Sequence, residues 1–176
     1  GIVGGTNGGT LQLGDVTIAM YHVHHDFDDT ALVIEWHIFA MFAPGFVTGW
    51  MVARFGEVRM IHAGIVLQLA CVAVALSGHG VWEFWLANLL LGLGWCLTFT
   101  AATSLTTFAY TPAERDHTQG ATNFIIYSFV ALLSLLSGAL VHYFGWMWVN
   151  LGAVPLLLLA VFAMLWYSAQ PQHQPV

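Results

Sequence analysis

Five long stretches of the chain consist almost entirely of apolar residues, and this pattern limits the fold more than any other feature. Crossing the roughly 30 Å hydrocarbon layer of a bilayer takes about 20 apolar residues in an α-helix. The stretches that meet this requirement are residues 30–55, 58–77, 82–110, 121–143 and 146–167. The sequence therefore predicts an all-α polytopic membrane protein with about five transmembrane helices. Each helix would satisfy its backbone hydrogen bonds internally, as lipid requires.

The composition agrees with a lipid environment. Of 176 residues, 59% are hydrophobic and 7% are charged, whereas a soluble domain carries about 25% charged residues. A water-facing surface built from so few charges would expose large apolar patches. Lysine is absent, and neutralising phosphates takes clusters of Lys or Arg. We therefore expect the lipid bilayer, and not nucleic acid, to be a partner of this chain.

The charged residues also predict an orientation. If the five spans alternate in direction, all three arginines lie in connections on the same side of the membrane. They are Arg54, Arg59 and Arg115. The opposite side receives only acidic residues, namely Asp15, Asp26, Asp28, Asp29 and Glu83. Cytoplasmic loops are enriched in Lys and Arg. We therefore expect the arginine side, and with it the C-terminal tail 168–176, to be cytoplasmic.

The first 29 residues do not match the pattern of spans. Their longest apolar run, residues 16–21, is too short to cross a bilayer. The glycine-rich opening would lose much conformational entropy on ordering. We interpret residues 1–29 as a Gly/His/Asp-rich tail outside the cytoplasm or as a degenerate further span.

The connection after the first span carries a family resemblance. It reads Gly49-Trp-Met-Val-Ala-Arg54-Phe-Gly56-Glu-Val-Arg59. This resembles the loop signature of the major facilitator superfamily, Gly-x-x-x-Asp-Arg-x-Gly followed by basic residues, which occurs after the second span and in weaker form after the eighth. Residues 41–49 are similar to the eighth span of unassigned bacterial permeases, and residues 92–95 are similar to the tenth. Residues 112–115 and 119–138 are similar to the junction of the tenth and eleventh spans. The spans then correspond to numbers eight to twelve.

The resemblance implies a function for this arrangement. The chain would form part of the C-terminal six-helix bundle of a secondary transporter in a bacterial inner membrane. Such a carrier moves a small solute by alternating access between two halves, and a proton is a candidate coupling ion. The N-terminal half would be a required partner, so we expect the isolated chain to be inactive. No cofactor is implied.

The sequence leaves other functions open. A non-transporting membrane assembly subunit, such as a redox or scaffold component, is one alternative, and an inactive truncated fragment is another. Enzymatic chemistry is not expected, because no nucleophile, base and oxyanion donor cluster together. Two departures from the family pattern matter: the signature aspartate is Ala53, and the seventh span is missing or degenerate.

Polar residues within the spans are the candidates for a substrate cavity. A helix turns by about 100° per residue, which places four polar residues of the fourth span within roughly 80° of arc on one face. They are Asn123, Tyr127, Ser134 and Ser137. In the third span, Asn88 and Trp95 lie on a similar mixed face. Lipid disfavours such rows, so they face protein or water. Hydrogen bonding between helices and lining of a cavity both fit the pattern.

Two ionisable residues lie near the outer end of the first span, Glu35 and His37. An ionisable group inside a membrane is a functional candidate, and either could exchange protons. Being two residues apart, they point about 200° apart on a helix, so one cavity cannot easily hold both. Glu35 could instead reach the membrane interface near the helix N-terminus.

The loop signature supplies candidates for a latch, namely Gly49, Arg54, Gly56 and Arg59. Arg54 could contact a carboxylate or the negative end of a helix dipole, or both arginines could simply anchor the cytoplasmic side. The histidines and aspartates at 22–29 match no closed metal site, and His62 and His142 show no paired register for haem. No metal site is predicted.

Overall fold

A computed structural model describes residues 16–18, 20–21, 24–111 and 113–169. Six α-helices account for most of these residues, and we number them in chain order. They are α1 (Phe27–Phe42), α2 (Gly45–Phe55), α3 (Glu57–Ser77), α4 (Val81–Thr106), α5 (Arg115–Phe144) and α6 (Trp146–Ala169). A 3₁₀ turn, Thr107–Ala109, follows α4. Residues 16–18 and 20–21 are also helical.

Helices α1 and α2 form one broken span. They are bent by 42° relative to each other, and Pro44 lies at the break. Proline has no N–H to donate to the preceding turn, and its ring clashes with the carbonyl four residues earlier. The backbone N–H and the hydroxyl of Thr48 both donate to the Pro44 carbonyl at 2.8 Å. Pro44 therefore accounts for the bend between α1 and α2.

Glycines end two of the helices. Gly56 separates α2 from α3 with φ +85° and ψ 152°, a region that is essentially restricted to glycine. Gly145 separates α5 from α6 with φ +86°. These two positions set the chain reversals on opposite sides of the bundle.

The described helices fit a membrane. Four of them, α3 to α6, contain segments long and apolar enough to span a bilayer, and the bent pair α1–α2 makes a fifth. Large apolar side chains face outward, such as Phe46 and Leu135, which are 94% and 77% exposed. Such exposure is expected where lipid replaces water as the solvent. The prediction of an all-α polytopic protein with about five transmembrane helices is confirmed.

The packing is uneven along the chain. Helix α4 packs against α1, α2 and α3, and α6 packs against α3. Helix α5 packs chiefly against α6, and none of its membrane-length window is buried. Both cysteines, Cys71 and Cys96, are buried. The described core thus centres on α1, α3 and α4, and α5 stands at its margin.

Several boundaries differ from those predicted. Helix α5 begins at Arg115 rather than at residue 121, and α6 runs to Ala169, two residues into the stretch predicted as a tail. Within the predicted tail 1–29, residues Val16 and Met20 are buried and pack with Val33 and Phe84. Residues 1–15, 19, 22–23 and 170–176 lie outside the described residues.

Candidate functional site

Helix α4 carries two glycines where neighbouring backbones approach closely. A Cβ added at Gly92 would lie 2.6 Å from the carbonyl oxygen of His37 in α1. A Cβ added at Gly94 would lie 2.8 Å from the carbonyl oxygen of Gly64 in α3. Positions two residues apart face nearly opposite sides of a helix. Small residues allow this approach in membranes, so α4 is held from two sides.

The contact between α1 and α4 consists of successive layers. Val33 and Phe84 belong to one buried apolar cluster. One turn further along both helices, His37 meets Asn88. One more turn along, Gly92 faces Ala40 and the backbone of Met41. Positions four apart lie on the same helix face, so a single polar layer is enclosed between two apolar ones.

His37 is fixed in one tautomer within this layer. Its side chain is 0% exposed, and Nδ1 lies 2.8 Å from the backbone carbonyl oxygen of Asn88. A carbonyl only accepts hydrogen bonds, so Nδ1 carries the hydrogen and donates it. In neutral imidazole, Nε2 is then a bare acceptor. Nε2 is buried and has no hydrogen-bond partner among the described residues.

Asn88 adds a second acceptor to the layer. Its side chain is 2% exposed, and Nδ2 donates to the backbone carbonyl of Phe84 at 2.8 Å. Oδ1 is buried and finds no partner within the part of the chain that the structure describes. Leaving a buried polar group unsatisfied costs about 1–3 kcal/mol. The layer is therefore chemically suited to a group that can donate hydrogen bonds.

Glu35 occupies a different environment from His37. It lies on the exposed side of α1, as expected for a position two residues away. The predicted divergence of the two side chains is therefore seen in the structure. Which of them, if either, couples to protons stays a prediction.

Trp95 belongs to an aromatic cluster on α4. Its ring stacks on Phe99 with centroids 4.9 Å apart and an interplanar angle of 8°. Phe42 of α1 meets Trp95 edge-on at 6.2 Å. The indole Nε1 is buried without a hydrogen-bond partner among the described residues. Trp95 thus offers an aromatic surface and one unused donor, whereas Asn88, its companion in the cavity prediction, lies inside the α1–α4 contact.

The predicted polar row on α5 lies at the margin of the bundle. Asn123 and Ser134 are exposed, Tyr127 is 49% exposed, and Ser137 is half-buried. The Ser137 hydroxyl donates to the backbone carbonyl of Ser134 at 3.3 Å. Among the described helices, α5 packs chiefly against α6, and most of the row is exposed. Its role in a cavity remains a prediction.

The loop signature lies between α2 and α3. Gly49 is exposed, and Arg54 in the last turn of α2 and Arg59 in the first turn of α3 are exposed as well. Gly56 supplies the left-handed backbone of the turn. The latch contact of Arg54 stays a prediction, since its exposed side chain leaves its partner open.

Glu57 is a functional candidate that the sequence reasoning missed. It is the first residue of α3, and its Oε1 accepts a hydrogen bond from the Ser104 hydroxyl of α4 at 3.0 Å. The signature aspartate is replaced by Ala53, yet this loop still places a carboxylate near the helix ends. The position of Glu57 directly after Gly56 was the available signal.

A hydrogen-bonded turn precedes α5. The backbone N–H and the hydroxyl of Thr111 donate to Oε2 of Glu114 at 3.1 Å and 2.7 Å, and the Glu114 N–H donates to the Thr111 carbonyl at 3.0 Å. The bond from the Thr111 hydroxyl and then that from its N–H hold the pKa of Glu114 below its ordinary value of 4.5. The Glu114 carbonyl accepts the first bond of the helix, from the Thr118 N–H at 2.9 Å, so α5 begins at Arg115, earlier than predicted.

The remaining histidine candidates are separated. His25 contacts the His79 carbonyl at 2.8 Å through Nε2 and meets Phe84 edge-on. His62 bonds to the Val58 carbonyl of its own helix at 2.8 Å. His22 and the side chain of His142 lie outside the described residues. Within the described part, no three His, Cys, Asp or Glu side chains group to hold a metal ion.

Comparison with known proteins gives the family. Residues 5–176 match the Major Facilitator Superfamily. The riboflavin transporter RfnT of Brucella anthropi is 40% identical over 156 residues, which cover 89% of this chain and 39% of that protein. The MFS-type transporter YdeG of Bacillus subtilis is 36% identical over 148 residues, covering 82% of this chain and 34% of the relative.

A further relative agrees. The MFS-type transporter YddS of Bacillus subtilis is 30% identical over 159 residues, covering 89% of this chain and 36% of that protein. The chain thus spans well under half the length of these curated relatives. No solved structure matches it. The matched range, the helical architecture and the loop signature agree with one another, and the chain belongs to the Major Facilitator Superfamily, as an integral membrane protein of a transporter family.

Proposed function

We propose that this chain is part of a secondary active transporter that moves a small solute by alternating access. The observation that carries the proposal is the polar row on α5. This helix is long and apolar enough to span a membrane, yet none of that window is buried within the chain. Lipid does not tolerate a row of polar side chains. In the membrane the row therefore faces water, a solute or further protein.

The partner that best fits α5 is the remainder of a longer carrier. The chain covers 34% to 39% of the three relatives. Transporters of this fold bind substrate between two related halves, near the middle of the membrane. We propose that an N-terminal half completes the cavity and that this chain alone does not transport.

For the solute, we propose a flat aromatic molecule of the class of riboflavin. The support is the name of the RfnT relative, with 40% identity over 156 residues, together with the ring pair of Trp95 and Phe99. Aromatic rings stack favourably on planar heterocycles.

For orientation, we propose that the arginine side is cytoplasmic, including the tail 168–176, in a bacterial inner membrane. Arg54 lies in the last turn of α2, Arg59 lies in the first turn of α3 and Arg115 begins α5, so alternating helices place them together. Asp28 and Glu83, in the first turns of α1 and α4, then fall on the opposite side. The positive-inside rule supports this assignment.

Cysteine labelling tests the proposed cavity. Ser134→Cys lies within the polar row, and Leu132→Cys lies on the opposite, apolar side of α5. In the complete protein that contains this chain, we expect a membrane-impermeant maleimide to label Ser134→Cys and riboflavin to slow that labelling. Leu132→Cys should stay unlabelled, and the wild-type protein gives the background because Cys71 and Cys96 are buried.

Two results would contradict the proposal. Equal labelling at both positions would mean that the row does not face an aqueous cavity. Labelling of Ser134→Cys that neither riboflavin nor another planar heterocycle slows would contradict the proposed class of solute.

A further inference from the structure

A groove lies between the end of α3 and the start of α6, at the end of the bundle opposite to the arginines. Its volume is about 200 Å³. Two lining residues belong to the last turn of α3, one to the connection between α3 and α4, and two to the first turns of α6. They are Ala75, Leu76, His79, Met147 and Leu151. All of them except Ala75 are exposed, so the groove is open to its surroundings.

The open side of α6 is suited to hydrocarbon chains. From Met147 to Trp166 this helix contains no charged residue, and its one amide side chain, that of Asn150, is 0% exposed. Unlike α5, it presents no outward row of polar side chains that would have to face protein or water. Met147 and Leu151 lie one turn apart on the same face. The groove therefore follows α6 for about 6 Å from its first turn into the apolar part of the span.

The connection from α3 to α4 places polar groups at the mouth of the groove. The imidazole of His79 is exposed and carries at least one N–H donor in either charge state. The His79 carbonyl lies 2.8 Å from Nε2 of His25, which holds the connection in place. The carboxylate of Glu83 lies against the same connection, because its oxygens are the nearest atoms to a Cβ added at Gly78 or Gly80.

The charges at this end of the bundle favour a cationic partner for Glu83. Glu83 is half-buried in the first turn of α4, and Asp28 lies in the first turn of α1 on the same side. The chain has no lysine, and its three arginines lie at the opposite helix ends. The α4 N-terminus supplies only partial positive charge. A partner with net negative charge is therefore repelled here, and an ammonium group is attracted.

We propose that this groove binds one phospholipid whose headgroup carries a phosphate and a primary ammonium, as in phosphatidylethanolamine. An acyl chain occupies the apolar groove, His79 donates a hydrogen bond to the phosphate, and the Glu83 carboxylate accepts one from the ammonium. Only two carbons separate the phosphate oxygen from the nitrogen in this headgroup, so both groups can reach one short connection. The site shares no residue with the α5 row or the Trp95–Phe99 pair, and it does not depend on the solute proposed above.

Lipid binding to the complete protein that contains this chain tests the headgroup. The delipidated protein is titrated with phosphatidylethanolamine or phosphatidylglycerol of the same acyl chains and followed by native mass spectrometry. We expect the first lipid bound to be phosphatidylethanolamine, and Glu83→Gln to lower that preference about fivefold. Asp28→Asn removes a charge from the same side and should retain the preference. A preference that survives Glu83→Gln, or that falls equally in both variants, would overturn the proposal.

Photo-crosslinking in nanodiscs tests the position of the lipid. A phosphatidylethanolamine probe with a photoreactive acyl chain should crosslink within residues 75–76 and 147–151, severalfold more than a phosphatidylglycerol probe. Leu151→Trp fills the groove and should remove this excess, whereas Leu159→Trp, at an exposed position of α6 outside the groove, should retain it.

Equal crosslinking by the two probes, or an excess that Leu151→Trp leaves unchanged, would refute a specific lipid site. Absence of any crosslink in the groove would mean that another part of the carrier covers it. Neither measurement uses solute flux, so the lipid site and the transporter function stand or fall separately.

Discussion

Replacing Gly92 by alanine inserts a methyl group between α1 and α4. The new Cβ would lie 2.6 Å from the His37 carbonyl oxygen and 2.9 Å from Cβ of Ala40. Ordinary contact begins at 3.4 Å, so the α1 backbone must retreat by about 0.8 Å. The neighbour that must move is backbone, which cannot rotate away. We therefore expect Gly92→Ala to be destabilising.

The magnitude follows from this displacement. Overpacking a fitted contact costs about 1–3 kcal/mol. The same retreat would stretch the bond from His37 Nδ1 to the Asn88 carbonyl, which is 2.8 Å long, beyond hydrogen-bond range. The loss should therefore lie toward the upper end. A change of 1–3 kcal/mol corresponds to about a 5- to 150-fold fall in the ratio of folded to unfolded protein.

Gly138→Ala in α5 is the matched control. Nothing lies within 4 Å of a Cβ added there, so this variant should show only the gain in helix propensity, up to about 1 kcal/mol. Equilibrium unfolding in mixed micelles, followed by tryptophan fluorescence, compares the two. A Gly92→Ala protein as stable as Gly138→Ala would refute the close α1–α4 contact.

Three further outcomes are expected. Glu114→Ala should lower the protection of amides against exchange at the start of α5 at neutral pH. Because the folded pKa of Glu114 is lowered, the wild-type protection is complete above the ordinary value of 4.5 and is lost as pH falls through the folded pKa. A wild-type protection factor, corrected for the intrinsic pH dependence of exchange, that stays constant over this range would contradict this. Ser104→Ala should lower the free energy of unfolding by about 1–2 kcal/mol, because it removes the bond to half-buried Glu57; unchanged unfolding would contradict it. Arg54→Ala should slow initial uptake per inserted protein more than Arg59→Ala does, because loss of the latch should shift the equilibrium between the inward- and outward-open states by about 1–3 kcal/mol. Equal rates would mean that Arg54 is only an anchor.

The sequence predicts the membrane spans well because their cause is local. An apolar run of sufficient length has one stable arrangement in lipid. The effect of a proline depends on its place, since Pro44 lies at the break between α1 and α2 whereas Pro155 lies within the continuous helix α6. The start of α5 was predicted too late for the opposite reason. Polar residues suggested a loop, whereas the turn from Thr111 to Glu114 leads into a helix within that polar stretch.

The pairing of His37 with Asn88 could not be predicted in the same way. Each helix alone shows a polar residue among apolar ones, and only the register between α1 and α4 brings them together. The available signal was the repeat at four-residue spacing, Val33 and His37 on α1 with Phe84, Asn88 and Gly92 on α4. The α5 row differs again, because in the function that we propose it faces a part of the carrier beyond this chain.

Solute flux tests the proposed function most directly. The complete protein that contains this sequence, and the 176-residue chain alone, are reconstituted into separate liposomes at equal density and loaded with riboflavin for counterflow. We expect saturable uptake of labelled riboflavin by the complete protein and none by the isolated chain. Saturable uptake by the isolated chain would contradict the need for a second half, and absence of flux for riboflavin and related planar heterocycles in the complete protein would contradict the proposed carrier.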